Sequence, residues 1–179
     1  MAPELSALRT GTRRHRIALI DGPNMSNLGR RNERVYGTIG SLADLHLMMG
    51  ELAESLGVDL ETFSSNYEGA ILEFLHGSAE NTDGYIINPA GLTLFGEATR
   101  HALEETGRPA IEVHFANISA SGGAAGQGRG LPVGAWQSRF SPSVTGVMQG
   151  MRQYSYHAAL ISLTLALDDE TFLGADFNA

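Results

Sequence analysis

Residues 17–37 read I-A-L-I-D-G-P-N-M-S-N-L-G-R-R-N-E-R-V-Y-G, and their reading decides the fold. Ile17 to Ile20 is a short apolar run of the kind required by a parallel strand buried on both faces. Asp21-Gly22-Pro23-Asn24 breaks the run abruptly. Asn24 therefore stands at a strand's carboxyl end, where open α/β sheets keep their ligand sites. Beyond it, a polar loop holds Arg30, Arg31 and Arg34, and Val35-Tyr36-Gly37 then brings a phenol back toward the same edge. Two readings fit this spacing. A guanidinium beside a tyrosine favours the phenolate, a strong base made usable near neutral pH. Alternatively, the stretch is a strand, a turn and a basic surface loop whose tyrosine packs at its base.

Working outward, Ser41-Leu42-Ala43-Asp44 resembles a capping box, and Leu42, Leu45, Met49, Leu52, Ala53 and Leu56 recur at helical spacing until Gly57 ends the run. Val58 to Phe63 alternates as a second strand, and Ser64-Ser65-Asn66 supplies the N-cap of a helix carrying Ile71, Leu72, Phe74 and Leu75. Tyr85 to Asn88 is a third strand. Asn88-Pro89 turns into a helix with Ala98, Ala102 and Leu103 facing inward, closed by Gly107 and Pro109. The fourth strand, Ala110 to His114, ends in an imidazole at the same rim. A short strand near Thr145 to Met148 precedes a helix over about 152–167 that includes Tyr156, Leu160, Leu163 and Leu167. The repeated β-α order predicts an α/β fold, a parallel five-stranded sheet with helices on both faces.

The expected organisation is a flexible N-terminal extension over 1–15, a single domain over 16–168 and a mobile tail over 169–179. Within the domain, the glycine-rich residues 119–135 read as a lid or insertion at the functional edge. Gly126-Gln127-Gly128-Arg129-Gly130 is only superficially like a phosphate-binding turn, since no apolar strand leads into it. Asp168, Asp169 and Glu170 form a charge run expected to solvate the C-terminal end.

Composition bounds the function. With 179 residues, 42% of them hydrophobic, the chain has enough material for one domain with a sizeable core. A net charge of -8 argues against a nucleic-acid or anionic-membrane partner, because phosphate binding needs a basic face. The absence of cysteine excludes a disulfide framework, a thiolate metal site and a cysteine nucleophile, and suits the cytoplasm. No apolar signal core opens the chain and no run is long enough to span a bilayer, so a cytoplasmic protein is expected. His46, His76 and His157 lie in or near helical patterns without ligand spacing, so no metal site is expected.

Six segments, in order, resemble type II 3-dehydroquinate dehydratase over nearly the whole chain. They are I-D-G-P-N at 20–24, L-G-R-R-N-E-R-V-Y-G at 28–37, F-S-S-N-Y-E-G at 63–69, I-N-P-A-G-L-T at 87–93, I-E-V-H at 111–114 and the later S-P-x-x-T-G-V at 141–147. The resemblance implies a flavodoxin-like fold, a homo-oligomer (a trimer, or a dodecamer built of trimers), no cofactor and a small-molecule carbonyl substrate. It further implies a reaction that removes a proton beside a ketone, passes through an enolate and expels a hydroxide that a histidine protonates. By position, Tyr36 corresponds to the base, Arg31 to the arginine that keeps it ionised and Asn24 to the asparagine that holds the enolate-stabilising water. Asn88 and His114 correspond to substrate-binding positions, and the backbone N–H groups of Phe115 and Ala116 to the cradle of the substrate carboxylate.

The chain also departs from that pattern. Leu94 stands where the resemblance places the proton-donating histidine, Ala116 replaces a serine, and His101 replaces an aspartate of the following helix. The arginines expected after the fourth strand are missing, with Ala135 aligned to the second. Leu94 and His101 are thus candidate contacts to a different ligand. The expectation is a divergent lyase that uses a tyrosinate base for enolate chemistry (dehydration, isomerisation or cyclisation) on a non-standard substrate of a specialised biosynthetic pathway. One alternative is an authentic 3-dehydroquinate dehydratase in which His101, Arg129, Arg139 or water replaces the lost groups. Another is a non-catalytic binding or assembly protein on the same scaffold.

Overall fold

The computed structural model describes residues 5–120 and 138–177. Its elements are β1 (Arg16–Asp21), α1 (Glu33–Tyr36), α2 (Leu42–Leu56), β2 (Asp59–Ser64), α3 (Glu68–Ser78), β3 (Gly84–Asn88), α4 (Glu97–Glu105), β4 (Ala110–His114), β5 (Gly146–Gln149) and α5 (Tyr154–Asp168). The five strands form one parallel sheet in the order β2-β1-β3-β4-β5. This is the flavodoxin-like arrangement, with the strand order reversing between β1 and β3.

The apolar run of β1 is continuous because both faces of the sheet are covered. Ile17 and Leu19 enter a layer with Leu45 and Met49 of α2 and Leu160 and Leu163 of α5. Ala18 and Ile20, on the opposite side of the pleat, meet Ile71 and Leu75 of α3 and Ala102 and Leu103 of α4. α2 is bounded as its sequence predicts: Ser41 Oγ accepts from the Asp44 N–H at 3.1 Å, and Gly57 leaves the helix at φ 70°.

Local expectations fail where a side chain has a tertiary partner. The N-cap of α3 is Tyr67, not Ser64-Ser65-Asn66, because Asn66 Oδ1 instead accepts the Asn24 N–H at 2.9 Å. After Asn88 the chain makes a 3-10 turn, Ala90–Leu92, before α4 begins at Glu97. On that helix Ala98 is exposed and Thr99 is buried in its place, its hydroxyl donating to Glu68 Oε1 at 3.0 Å. The glycine-rich residues expected to form a lid lie, apart from Ser119 and Ala120, outside the described residues.

The largest correction concerns the two ends of the chain. Residues 5–15 are not loose, and Asp168 does not solvate the C-terminus. Leu5–Leu8 form a 3-10 turn, and the Arg9 guanidinium then reaches into the fold. It donates through Nε and Nη2 to both Asp168 oxygens at 2.8 Å, and through Nη1 to the carbonyls of Leu56 and Gly57 at 3.2 and 3.0 Å. His15 Nε2 lies 2.8 Å from Asp168 Oδ1. The Arg9 and Asp168 side chains are only 5% and 1% exposed. Within the tail, Leu173 packs on the core and begins a 3-10 turn that runs to Phe177.

Burial alone would raise the Asp168 carboxyl, but the hydrogen bonds from Arg9 and His15 and the Arg9 charge outweigh it, bringing it from 3.8 down to about 2. A depressed carboxyl stabilises the fold fully above its unfolded value and loses that contribution as pH falls through its folded value. At neutral pH this linkage is worth roughly 2 kcal/mol. Asp168→Asn, which strands the buried guanidinium, is expected to lower unfolding free energy by about 3 kcal/mol in urea titrations at pH 7. The gap from wild type should narrow between pH 4 and pH 2; a pH-independent gap would show that Asp168 is not ionised in the native state.

Candidate active site

β1 and β3 lie side by side with Asp21 opposite Asn88 at their carboxyl ends. From there β1 feeds α2 on one face of the sheet and β3 feeds α4 on the other, which opens a crevice between the two strand ends. Backbone contacts clamp the floor of this crevice. The Gly22 N–H donates to the Asn88 carbonyl at 2.8 Å and the Gly91 N–H to the Pro23 carbonyl at 3.0 Å. A Cβ on Gly22 would stand 2.5 Å from the Pro89 carbonyl oxygen, so this approach requires glycine. Asn24 and Ala90 take positive φ, 78° and 47°, on the two sides of the clamp.

Above the clamp is a cavity of about 270 Å³ lined by Asn24, Arg31, Tyr36, Asn88, Leu94, His114, Phe115 and Ala116, together with Met25, Ala90, Gly91, Thr93, Phe95 and Ile118. Of the residues the resemblance marks as base, base partner, water holder or ligand contact, all but His101 line it. That histidine is 58% exposed on α4, 3.6 Å from Glu97, and outside the cavity. Arg139 is exposed and outside the cavity lining, and its backbone N–H donates to the Thr93 carbonyl at 2.8 Å. Arg129 and Ala135 lie outside the described residues.

Tyr36 is the last residue of α1, whose first turn is held by Asn32 Oδ1 accepting the Arg34 N–H at 2.9 Å. Arg152 Nη2 donates to the Arg34 carbonyl at 3.0 Å and anchors this turn to the start of α5. The Arg31 guanidinium lies over the Tyr36 ring, its Cζ 3.7 Å from the centroid, and donates through Nη2 to the Tyr36 hydroxyl oxygen. Since a guanidinium can only donate, it meets the phenol oxygen as an acceptor. Phe115 stands between Tyr36 and Tyr156, with ring centroids 6.0 and 5.2 Å away.

Also lining the cavity, His114 has its Nε2 2.6 Å from Glu112 Oε1, while Ser141 Oγ donates to Oε2 at 2.7 Å. Glu112 is fully buried. Burial pushes its carboxyl up, but the hydrogen bonds from His114, Ser138 and Ser141 outweigh this and leave it below the ordinary carboxylate range. An ionised Glu112 can only accept, so His114 Nε2 carries a proton and Nδ1 is the ring nitrogen left for a ligand. The pocket therefore holds an imidazole with its own carboxylate, although Leu94 offers no proton.

Four residues of the site's surroundings escaped sequence reasoning: Asp21, His46, Glu112 and Tyr156. Glu112 had a signal, since alternation along a strand puts it on the same side as His114. So did Asp21, a carboxylate ending an apolar strand, which must find partners if buried. Its partners are the Tyr156 hydroxyl at 2.6 Å and His46 Nε2 at 2.9 Å. At helical spacing, Tyr156 reads only as core and His46 only as part of an amphipathic face.

Fold and cleft together define a flavodoxin-like α/β protein with a cleft at the sheet's switch point. The family model described as "Dehydroquinase class II" matches residues 15–164. The chain is 46% identical over 105 residues to a 3-dehydroquinate dehydratase of Desulforudis audaxviator, spanning 59% of this chain and 69% of that one. It is 36% identical over 159 residues to catabolic 3-dehydroquinase 1 of Neosartorya fischeri, spanning 88% and 97%. The solved type II dehydroquinase of Butyrivibrio crossotus superposes with a TM-score of 0.73 at 30% identity over 84% of this chain and 97% of that one. The chain belongs to the type II dehydroquinase family. Among its described residues no helix is long and apolar enough to cross a membrane.

The clamp gives a direct test of the site's architecture. Gly22→Ala is expected to cost about 1–3 kcal/mol, because a methyl against a backbone carbonyl forces the two strand ends apart. Thermal unfolding should record the loss, and a crystal structure should show the Gly22–Asn88 hydrogen bond lengthened. An unchanged melting temperature would mean that the floor of the site is not closely packed.

Proposed function

We propose that this protein is a 3-dehydroquinate dehydratase in which Tyr36 is the base and His114 the acid. The observation that carries the reading is the convergence, in one cavity, of a phenol held by a guanidinium and an imidazole held by a buried carboxylate. Tyr36, acting as phenolate beside Arg31, takes the proton next to the substrate ketone. Asn24 holds the water that stabilises the enolate oxygen. The hydroxyl then departs as water with a proton supplied by His114, and Glu112 stabilises the imidazolium before that transfer. The backbone N–H groups of Phe115 and Ala116 cradle the substrate carboxylate, and Asn88 binds the ring. On this reading, the acid role that the resemblance places at position 94 is taken by His114. The names of the relatives, 3-dehydroquinate dehydratase and catabolic 3-dehydroquinase 1, support the same substrate.

A second reading keeps the base and changes the substrate. Leu94, Phe95, Phe115, Ala116, Ile118 and Met25 give the cavity a largely apolar wall, which favours a carbonyl compound less polar than 3-dehydroquinate and could extend to isomerisation or cyclisation. His101 has no role in either reading within one chain. We also propose assembly as a homo-oligomer, supported by exposed Phe95 and Tyr67, 83% and 79% accessible in the single chain. Light scattering is expected to give a multiple of three chains; a monomer mass would refute this.

The two substrate readings separate in a steady-state assay. On the first, the wild type turns over 3-dehydroquinate with kcat on the order of 1–10³ s⁻¹. Tyr36→Phe and His114→Asn, both folded by circular dichroism, should each lose about 10²- to 10⁴-fold in kcat. On the second, wild-type turnover is negligible and Leu94→His does not restore it. Wild-type rates from His114→Asn would remove the acid assignment.

A further inference from the structure

Four buried or part-buried groups from four elements form one hydrogen-bonded chain beneath the cavity. His46 Nε2 of α2 lies 2.9 Å from Asp21 Oδ2. Asp21 Oδ1, at the end of β1, accepts from the Tyr156 hydroxyl of α5 at 2.6 Å. The Tyr156 oxygen accepts from Asn88 Nδ2, at the end of β3, again at 2.6 Å. Asn88 Oδ1 then accepts the Ala90 N–H at 3.0 Å. Asp21 and Tyr156 are fully buried and Asn88 is 4% exposed.

The direction of this chain is not free. A carboxylate has no proton to give, so the Tyr156 hydroxyl must donate to Asp21. Its lone pair then faces Asn88 and can be met only by an N–H, which fixes the amide with its nitrogen toward Tyr156 and its oxygen toward Ala90. Burial, followed by the charge of Asp21, pushes the Tyr156 phenol up and keeps the proton in place. The second hydrogen of Asn88 Nδ2 is left with Met25 Sδ, 3.3 Å away, a weak acceptor that also lines the cavity. An oxygen of a bound ligand is the better partner.

We infer that Asp21 and Tyr156 are positioning residues that present Asn88 to the cavity as a hydrogen-bond donor and hold, through its oxygen, the turn at Ala90 that leads to Thr93 and Leu94. The site wall they set selects a ligand oxygen that accepts, such as a hydroxyl or carboxylate oxygen, and disfavours a donor without a lone pair at that place. Reversing the amide would put an acceptor there and release the turn, which at Ala90 has a φ of 47°, a conformation an alanine adopts only when held.

The test uses the full chain with Tyr156→Phe, Asp21→Asn and His46→Gln, read by kinetics with 3-dehydroquinate and by crystal structures. The kinetic arm rests on the dehydratase reading; the crystallographic arm does not. Tyr156→Phe is expected to raise KM about 10-fold with kcat kept within about 3-fold, since binding and not chemistry loses its donor. Its structure should show the Asn88–Ala90 contact broken. If Tyr156→Phe fails to fold, the nearly isosteric Asp21→Asn carries the test with a smaller KM increase, because an amide at that position can either accept from or donate to the tyrosine. His46→Gln leaves the carboxylate in place and should keep KM within about 2-fold. Should wild type not act on 3-dehydroquinate, the dehydratase reading fails while a broken Asn88–Ala90 contact still supports the positioning role. An intact contact in Tyr156→Phe, a loss confined to kcat, or an equal KM increase in His46→Gln would overturn it.

Discussion

The close approach of two strand ends is the constraint on which the rest of this molecule depends. Parallel strands β1 and β3 are buried on both faces, so their backbone groups must be paired to the last residue. At that last residue the chain departs on opposite sides of the sheet. The Gly22–Asn88 and Gly91–Pro23 hydrogen bonds keep the two departures in contact and thereby set the distance between everything carried on the two loops. Asn24 and Met25 ride on one side, Ala90 to Leu94 on the other, and His114 arrives from the neighbouring strand β4 in register with Gln149 of β5. The cavity follows from the sheet's topology, and side chains only decide what fills it.

Three carboxylate side chains among the described residues are no more than 1% exposed in a chain whose net charge is -8, and their partners show how the interior tolerates them. Asp168 has a guanidinium and an imidazole, Glu112 an imidazole and serine hydroxyls, Asp21 a tyrosine hydroxyl and an imidazole. A buried ion pair adds little compared with apolar packing, whereas removing one partner is costly. Such groups are best understood through what they orient. Asp168 orients the two ends of the chain against each other, Glu112 sets the proton arrangement of His114, and Asp21 sets that of Tyr156.

The sequence was legible wherever one periodicity dominated. The apolar run of β1, the capped and glycine-terminated α2 and the strand ending at His114 were read to within a residue or two, because propensity, pattern and caps agreed there. The residues lining the cavity were legible for a different reason: in a parallel sheet, strand ends converge. Partners remote in sequence were not legible. Nothing local says that Asn66 abandons capping for Asn24, that Arg9 crosses to Asp168, or that His46 reaches beneath the sheet's end to Asp21. For His101, correspondence of position suggests a contact, while α4 carries it to solvent in the single chain.

Leu94 acquires a different meaning once the site is seen whole. On the proposed dehydratase reading the acid is His114, which lines the same cavity as Tyr36 and is held by the buried Glu112 carboxylate. The proposed chemistry and the recognition are thus carried by different segments of the chain that meet in one cavity. In that reading the proton-moving groups are Tyr36, held by Arg31, and His114, held by Glu112, and neither partner belongs to residues 89–96. That segment carries an apolar side chain and one amide donor held from below, so changes in it alter which molecule fits before they alter what can be done to it. On the proposed reading, substituting Leu94 is expected to move the preference for ligand polarity while Tyr36 and His114 keep their partners.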